Sequence, residues 1–326
     1  MIIWSMLLLS ILLISSSTSW LSAWIGLEIN LMMFIPIMLM KKNNLSTESS
    51  MKYFLIQAMG SSSLLFMVIM IQLNSMNSIF PLLAIPLALK MGLAPLHWWL
   101  PSIMEGLDWI SCLTLLTIQK IAPTILINHI TVISKILIFL IISSSIIGSI
   151  GGLNQISLRK ILAYSSINHS SWFILSIMLS HSLWFMYFLI YSIMLLTLMM
   201  CSLMWKMSLM NQIPYSMKHN PNKLIMSLSI LSLGGLPPLL GFLPKWMVMT
   251  TALWANLNIL ILTLTMLTML TLFFYLKMIY WSMILNMNIT SWSNLLNNQS
   301  NFLNPLLFLM INSCLTIFIT MMSFYT

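Results

Sequence analysis

The chain alternates between apolar runs of about 20 residues and short polar segments, and that run length is what one α-helix needs to cross a bilayer. A membrane β-barrel is disfavoured because barrel strands are only about 10 residues long and alternate polar with apolar positions. Charged residues are 5% of the 326 residues, against about 25% in a typical soluble domain, so they cannot cover a soluble surface. The sequence therefore predicts an all-α polytopic membrane protein, with residues 1–326 forming a single transmembrane domain.

We predict about eleven transmembrane helices from these runs, joined by short loops. The first run has neither a basic segment before it nor a small-residue cleavage site, so we interpret it as a span and not as a signal peptide. The ninth run is too long for one straight span and contains GGLPP at 234–238, so we predict one broken helix, with two separate spans as the alternative. The predicted helices are 1–19, 21–40, 51–74, 77–101, 108–128, 131–150, 158–178, 182–206, 223–254, 257–284 and 305–323.

The cationic residues predict the topology. With these helices, the loops on one side of the membrane, which we call side A, contain eight Lys and Arg residues, whereas the loops on the other side contain none. Such an excess marks the cytoplasm-like compartment. The N-terminus is therefore predicted to lie on side A and the C-terminus on the opposite side. The eight cations are Lys41, Lys42, Lys52, Arg159, Lys160, Lys206, Lys218 and Lys223.

Several classes of binding site are missing from the sequence. The net charge of +9 does not indicate nucleic-acid binding, because no Lys/Arg cluster is longer than two residues. The three cysteines are far apart and form no C-x-x-C pair, so they indicate neither an iron–sulfur site nor a zinc site. Dinucleotide, Walker A and H-E-x-x-H motifs are also absent from the sequence. We therefore expect no cofactor and no metal on this chain.

A few charged residues fall inside predicted helices. Lys135 and Lys277 are near helix ends, where a long side chain can extend its ammonium group to the membrane surface. Four others are deeper, where a charge costs several kcal/mol and is usually kept for function. The four deep residues are Glu28, Lys90, Lys120 and Lys245.

Two of the predicted helices contain a similar break. Residues 92–101 read GLAPLHWWLP and residues 235–244 read GLPPLLGFLP, with six of ten positions identical. They belong to the fourth and ninth helices, and the odd offset makes them cross the membrane in opposite directions, as in inverted-repeat transporters. Chance similarity in an apolar chain is the alternative. The predicted discontinuous helices are about 77–101 and 223–254, and the predicted repeat halves are about 51–128 and 131–284.

The deep residues are suited to moving protons. Burial lowers the pKa of a lysine and raises that of a glutamate, which brings both towards neutrality, while a nearby opposite charge acts against the shift. A buried Glu–Lys pair can therefore change protonation state when a neighbouring charge changes. His97 and His169 are candidate members of the same relay, because histidine titrates near neutral pH, but a structural hydrogen-bonding role fits each of them equally well.

Six segments carry a resemblance to a known family. They are WIGLEIN (24–30), STESSMKYFL (46–55), ALKMGLAPLHWWLP (88–101), LTIQKIAP (116–123), GGLNQISLRKILAYSSINHSSW (151–172) and GGLPPLLGFLPKW (234–246). In this order they closely resemble the chain 2 family of mitochondrial NADH:ubiquinone oxidoreductase, respiratory complex I, and its arthropod members in particular.

The resemblance implies an antiporter-like, proton-translocating subunit of the membrane arm, driven by quinone reduction elsewhere in the complex. It implies that Glu28 and Lys90 form a modulating pair, that Lys120 is the central relay and that Lys245 faces the outlet or an adjoining subunit. It also implies the mitochondrial inner membrane, with the N-terminus in the matrix, the C-terminus in the intermembrane space, and other membrane-arm subunits and lipids as partners. The flavin mononucleotide, iron–sulfur clusters and ubiquinone of such a complex would lie outside this chain, which would perform no redox chemistry itself.

Two other functions remain compatible with the residues. One is a subunit of a stand-alone multisubunit cation/proton antiporter. The other is a membrane scaffold without a proton path, in which the buried lysines only form structural pairs.

Overall fold

The computed structural model describes residues 2–40, 43–74, 77–130, 135–213, 220–237 and 239–284. The predicted helix 305–323, the C-terminus, Lys41, Lys42 and Lys218 lie outside the described residues.

Every regular element of the described residues is helical, which confirms the predicted all-α class. The α-helices are α1 (Ile2–Ser15), α2 (Trp20–Met38), α3 (Asn44–Asn74), α4 (Ala84–Met91), α5 (Trp99–Gly106), α6 (Trp109–Leu116), α7 (Ile118–Asn128), α8 (Lys135–Gly152), α9 (Leu158–Leu179), α10 (His181–Met204), α11 (Asn220–Gly234), α12 (Phe242–Trp254) and α13 (Asn258–Ile284). Two 3₁₀-helices cover Asn77–Leu83 and Met210–Gln212.

Within the described ranges, six helical segments are long and apolar enough to cross a membrane. Their outer surfaces carry large apolar side chains, such as Met59 and Met266, which are 66% and 64% exposed. An apolar outer surface of this kind is stable in contact with lipid and unfavourable in water. The chain is therefore a polytopic membrane protein. The six segments are Trp20–Met38, Asn44–Leu73, Trp109–Asn128, Lys135–Gly152, His181–Met204 and Asn258–Tyr280.

Helix α9 is surrounded by other helices and forms a polar axis inside the apolar protein. It packs against α5, α7, α8, α10 and α12. Its polar side chains face these neighbours, and Ser165, Ser166, Asn168 and His169 are all at most 2% exposed. A helix that is buried on every side can keep polar residues in a membrane because none of them meets lipid.

The first predicted break is present. Helix α4 ends at Met91, Gly92 adopts a left-handed φ of 73°, and α5 begins at Trp99. The carbonyl of Leu89, in the last turn of α4, accepts both from the Gly92 backbone at 3.1 Å and from the indole of Trp99 at 3.0 Å. The predicted end at residue 101 was wrong, because α5 continues to Gly106. Pro101 lies in the first turn of α5, where proline is tolerated, so it does not end the helix.

The second predicted break is also present. Helix α11 ends at Gly234, Gly235 adopts a φ of 80°, and α12 begins at Phe242. The backbone of the connecting segment comes so close to α11 that a Cβ at Gly241 would lie 1.7 Å from the carbonyl oxygen of Ser232. Glycine is therefore required at this approach for a steric reason.

A third break was not predicted. The segment predicted as one helix, 108–128, is divided at Thr117, whose φ and ψ are −112° and −79°. The Thr117 hydroxyl donates to the carbonyl of Leu113 at 2.7 Å, a backbone contact of the kind that bends helices. The division comes three residues before Lys120 and separates α6 from α7.

Two cations at the start of α9, on predicted side A, bind Glu105 near the end of α5. Lys160 forms an ion pair with Glu105 at 2.7 Å, and the Arg159 guanidinium donates to the carbonyl of Glu105 at 2.9 Å. The same guanidinium lies 5.2 Å from the ring centroid of Trp109. These contacts connect the start of α9 to both ends of the short loop after α5.

Candidate functional site

The deep charged residues occupy four different helices. Glu28 is on α2, Lys90 is in the last turn of α4, Lys120 is on α7 and Lys245 is in the first turns of α12. The three lysines are 7%, 2% and 4% exposed, and Glu28 is partly buried. Lys135 and Lys277, which were predicted to reach the membrane surface, are exposed. Within the described residues, Lys90, Lys120 and Lys245 are thus buried, whereas Lys135 and Lys277 are exposed.

Glu28 and Lys90 interact through their charges. The Glu28 carboxylate is close enough to attract the Lys90 ammonium group. A carboxylate near a buried ammonium group offsets part of the free energy lost by desolvation. The pairing of these two residues stays a prediction.

An amide cluster surrounds Lys90, and sequence reasoning missed it. The Gln57 amide donates to the carbonyl of Lys90 at 3.4 Å. The Gln119 amide donates to Asn30 Oδ1 at 3.1 Å and accepts from the Tyr53 hydroxyl at 3.3 Å. These polar groups line a cavity of about 10 Å³ beside Lys90, which has room for about one water molecule. The sequence did contain one indication of this cluster, because two of its amides are next to deep charged residues. Gln119 directly precedes Lys120, and Asn30 follows Glu28 by two residues.

Lys120 and Lys245 each donate to a backbone carbonyl. Lys120 Nζ donates to the carbonyl of Ser166 on α9 at 2.9 Å. Lys245 Nζ donates to the carbonyl of Gly234 at 2.8 Å. The second carbonyl is available because α11 ends there and no following turn of helix uses it. The helix break thus creates the acceptor for the lysine that follows it.

His169 lies near both of these lysines. It is 2% exposed, and both Lys120 and Lys245 are close enough to act on it electrostatically. Its Nδ1 is 3.1 Å from the Tyr187 hydroxyl, and the ring also faces the backbone of Leu233, next to the carbonyl that binds Lys245. His169 on α9 is therefore near both buried lysines, Lys120 on α7 and Lys245 on α12.

His97 has different surroundings. It lies in the first helix break, where its Nδ1 is 3.2 Å from the carbonyl of Pro95. Its ring centroid is 5.0 Å from that of Trp98 and 6.5 Å from that of Tyr164. These contacts suit a residue that stabilises the helix break. They favour the structural alternative given above for His97 over the relay.

The site contains no metal-binding arrangement among the residues that the structure describes, because no three His, Cys, Asp or Glu side chains come together there. Its chemistry consists of buried amines, a carboxylate, an imidazole and hydroxyl groups. Such groups exchange protons and hydrogen bonds.

Comparison with known proteins identifies the family. A family profile described as NADH:quinone oxidoreductase/Mrp antiporter, TM, matches residues 17–82 and 69–271. The chain belongs to this antiporter family. Within it, NADH-ubiquinone oxidoreductase chain 2 of Anopheles gambiae is 47% identical over 308 residues, which cover 91% of this chain and 89% of the relative. The protein of the same name from Locusta migratoria is 42% identical over 88% of this chain and 86% of the relative.

Solved structures agree on the fold. A chain of respiratory complex I from Thermus thermophilus matches with a TM-score of 0.78 at 21% identity, over 85% of this chain and 69% of that chain. A chain of the Mrp complex from Dietzia sp. matches with a TM-score of 0.75 at 17% identity, over 84% of this chain and 59% of that chain. The antiporter-family fold is therefore common to both kinds of complex.

Proposed function

We propose that this chain is a proton-translocating core subunit of the membrane arm of NADH:ubiquinone oxidoreductase. The name shared by relatives with 42% and 47% identity supports membership of that enzyme. In this role the chain moves protons and performs no redox chemistry. Quinone reduction elsewhere in the complex supplies the free energy, and flavin mononucleotide, iron–sulfur clusters and ubiquinone belong to the complex outside this chain.

The observation that carries the proposal is the series of buried ionisable groups from Glu28 to Lys245. Isolated buried amines destabilise a membrane protein, so the presence of three buried lysines, two of them with a dedicated backbone acceptor, argues for a function. A nearby carbonyl or carboxylate stabilises the protonated form of each lysine. A second positive charge arriving at a neighbouring position raises the energy of that ammonium group and favours release of its proton. Charge changes can thus pass from one position to the next.

The proposal includes a topology. The chain would lie in the mitochondrial inner membrane as about eleven spans, with its N-terminus in the matrix and its C-terminus in the intermembrane space. Residues 51–128 and 131–284 would be inverted halves, each with one broken helix. The similar placement of Lys90 and Lys245 beside the two breaks supports the pairing. Other membrane-arm subunits and lipids would cover the outer surface.

A stand-alone cation/proton antiporter subunit is the second candidate. The match to the Mrp complex favours it only at the level of the fold, because the identity is 17%. Co-purification of this chain with flavin-containing and iron–sulfur-containing chains would decide for the oxidoreductase. A scaffold without a proton path is the third candidate, and it is tested by substituting the central lysine.

The test is Lys120→Met in the assembled complex, with Lys277→Met as the control on an exposed lysine of α13. Methionine keeps the length of the side chain and removes the titratable group. We expect Lys120→Met to lower proton pumping by about 10²-fold, the contribution typical of a positioned acid–base group, and Lys277→Met to leave it unchanged. Both are measured as the initial rate of vesicle acidification driven by NADH.

Normal pumping by an assembled Lys120→Met complex would contradict the relay and favour the scaffold. Equal losses in the two variants would attribute the effect to removal of any lysine from the chain.

A further inference from the structure

Two buried tyrosines pack against His169, and a third buried tyrosine lies close to them. Tyr187 and Tyr191 are one turn apart on α10 and share a face, and Tyr275 comes from α13. Their side chains are 1%, 0% and 1% exposed. The His169 ring centroid is 6.2 Å from that of Tyr187 and 4.9 Å from that of Tyr191. Phenylalanine would fill the same space without burying a hydroxyl group, so the hydroxyl groups need an explanation.

The three hydroxyl groups differ in their partners. The Tyr187 hydroxyl is hydrogen-bonded to His169 Nδ1 at 3.1 Å. The Tyr191 hydroxyl faces the side chain of Ser166 and that of Tyr275 faces the side chain of Ser165, but neither reaches hydrogen-bond geometry with any described residue. Burying a hydroxyl group without a partner costs free energy comparable to a lost hydrogen bond. These two hydroxyl groups therefore indicate a small polar ligand, and water is the ligand that such a buried polar site takes.

The tyrosine cluster is next to the backbone groups that bind the two buried lysines. The Ser166 side chain faces Tyr191, and the Ser166 carbonyl accepts from Lys120. On the other side, His169 faces the backbone of Leu233, which is adjacent to the carbonyl that binds Lys245. The hydroxyl groups thus occupy the space through which Lys120, His169 and Lys245 would communicate.

We propose that Tyr187, Tyr191 and Tyr275 are positioning residues for proton transfer between Lys120 and Lys245, a role that rests on the function proposed above. Tyr187 restrains the His169 ring at Nδ1 and so keeps the ring directed at the backbone beside the Lys245 acceptor. Tyr191 and Tyr275 hold buried water that joins the imidazole to the two lysines.

The proton balance is simple. The Lys120 ammonium group loses one proton to the water and imidazole series, and the neutral amine of Lys245 gains one. His169 takes up one proton and releases one in the course of the transfer. The tyrosines keep their own protons and change only their hydrogen bonds.

The experiment substitutes each tyrosine by phenylalanine in the assembled complex, because this change removes the hydroxyl group and retains the ring. Tyr280→Phe is the matched control, since Tyr280 is on the same helix as Tyr275 and is 63% exposed. The measurements are the proton-pumping rate and the H₂O/D₂O rate ratio of NADH:ubiquinone oxidation. We expect each buried variant to pump about two- to tenfold more slowly, the rate equivalent of one hydrogen bond, with a larger isotope ratio. Tyr280→Phe should match the unmodified chain in both measurements.

A second comparison separates positioning from packing. Tyr187→Phe should have no further effect on pumping when it is added to His169→Gln, because the hydroxyl acts through the imidazole. Unchanged pumping and isotope ratio in all three buried variants would overturn the proposal. Loss of assembly in those variants, with normal assembly of Tyr280→Phe, would also overturn it by showing that the hydroxyl groups serve folding.

The Lys120→Met variant keeps this test distinct from that of the proposed function. If Lys120→Met abolishes pumping while the tyrosine variants pump normally, only the role of the tyrosines fails. If Lys120→Met pumps normally, the proposed function fails for this chain, and with it the transfer that the tyrosines would serve.

Discussion

At the scale of the residue, several buried polar groups beside Lys90 are held by specific hydrogen-bond partners. Gln119 connects Asn30 on α2 with Tyr53 on α3, and both partners are at most 3% exposed. A cluster with its hydrogen bonds made holds its members in one arrangement, whereas a broken one leaves costly unpaired groups. Gln119 thereby fixes the side of α7 that lies beside the Lys90 cavity.

The Gln119→Leu substitution tests this cluster. It leaves the Asn30 carbonyl oxygen without its donor and the Tyr53 hydroxyl without its acceptor, at a cost of about 1–3 kcal/mol for each buried group. We expect a lower midpoint of heat inactivation of the assembled complex. Gln72→Leu, at an exposed position on α3, is the control and should leave the midpoint unchanged. Adding Tyr53→Phe to Gln119→Leu should cause no further loss; an additive loss would show that the two side chains stabilise the protein independently.

At the scale of the element, the helix breaks supply acceptors for the site. The second break leaves the Gly234 carbonyl free for Lys245, and Gly235 makes the turn with a left-handed backbone. A Cβ at Gly235 would lie 3.0 Å from Lys245 Nζ. This glycine is therefore required by both its φ angle and the position of the lysine.

Substitution of Gly235 by alanine tests the break. The left-handed conformation costs a residue with a Cβ about 1–2 kcal/mol, and the new methyl group would displace the Lys245 ammonium group from its carbonyl. We expect a marked loss of proton pumping. Gly234→Ala is the comparison, because its Cβ would make ordinary contacts of 3.4 and 3.5 Å with Leu272 and Tyr275, so its effect should be much smaller. A greater loss in Gly234→Ala would argue against this account of the turn.

At the scale of the whole molecule, apolar helices enclose a polar interior. Side chains such as Leu262 and Phe273 are 59% and 62% exposed, whereas His169 and Lys120 are each 2% exposed. This distribution is stable in lipid, where the outer surface needs no charge and each inner polar group needs a partner. A charged contact, the Lys160–Glu105 pair, joins the start of α9 to the end of α5, on predicted side A.

Thiol labelling tests the predicted sidedness. Asn154 precedes α9 and Ala255 precedes α13, and both residues are exposed. In a chain with Cys314→Ser, the cysteines Cys112 and Cys201 are buried and should not react. We expect a membrane-impermeant thiol reagent to label Asn154→Cys from the matrix side only and Ala255→Cys from the opposite side only. Labelling of both positions from one side would show that the positive-inside assignment is wrong.

The sequence alone determined the environment of this protein and its unusual residues. Apolar run length indicated lipid, the scarcity of charge drew attention to Glu28, Lys90, Lys120 and Lys245, and glycine with proline located two helix breaks. These features are local, because hydropathy and backbone preference act within a few residues along the chain. The histidine relay could be suggested for the same reason, since His169 lies in a long apolar segment.

Only the tertiary structure decided which groups meet. The bond between Asn30 and Gln119 joins residues 89 positions apart, and that between Lys120 and Ser166 joins residues 46 positions apart. Hydropathy carries no information about such pairs, because each residue has the same local pattern whichever helix lies beside it. The break at Thr117 was missed because threonine does not interrupt a helix by preference alone. The partners of the buried lysines and the tyrosines near His169 follow from helix packing, which brings hydroxyl, amide and carbonyl groups of distant segments together in the interior, where lipid offers them no hydrogen bonds.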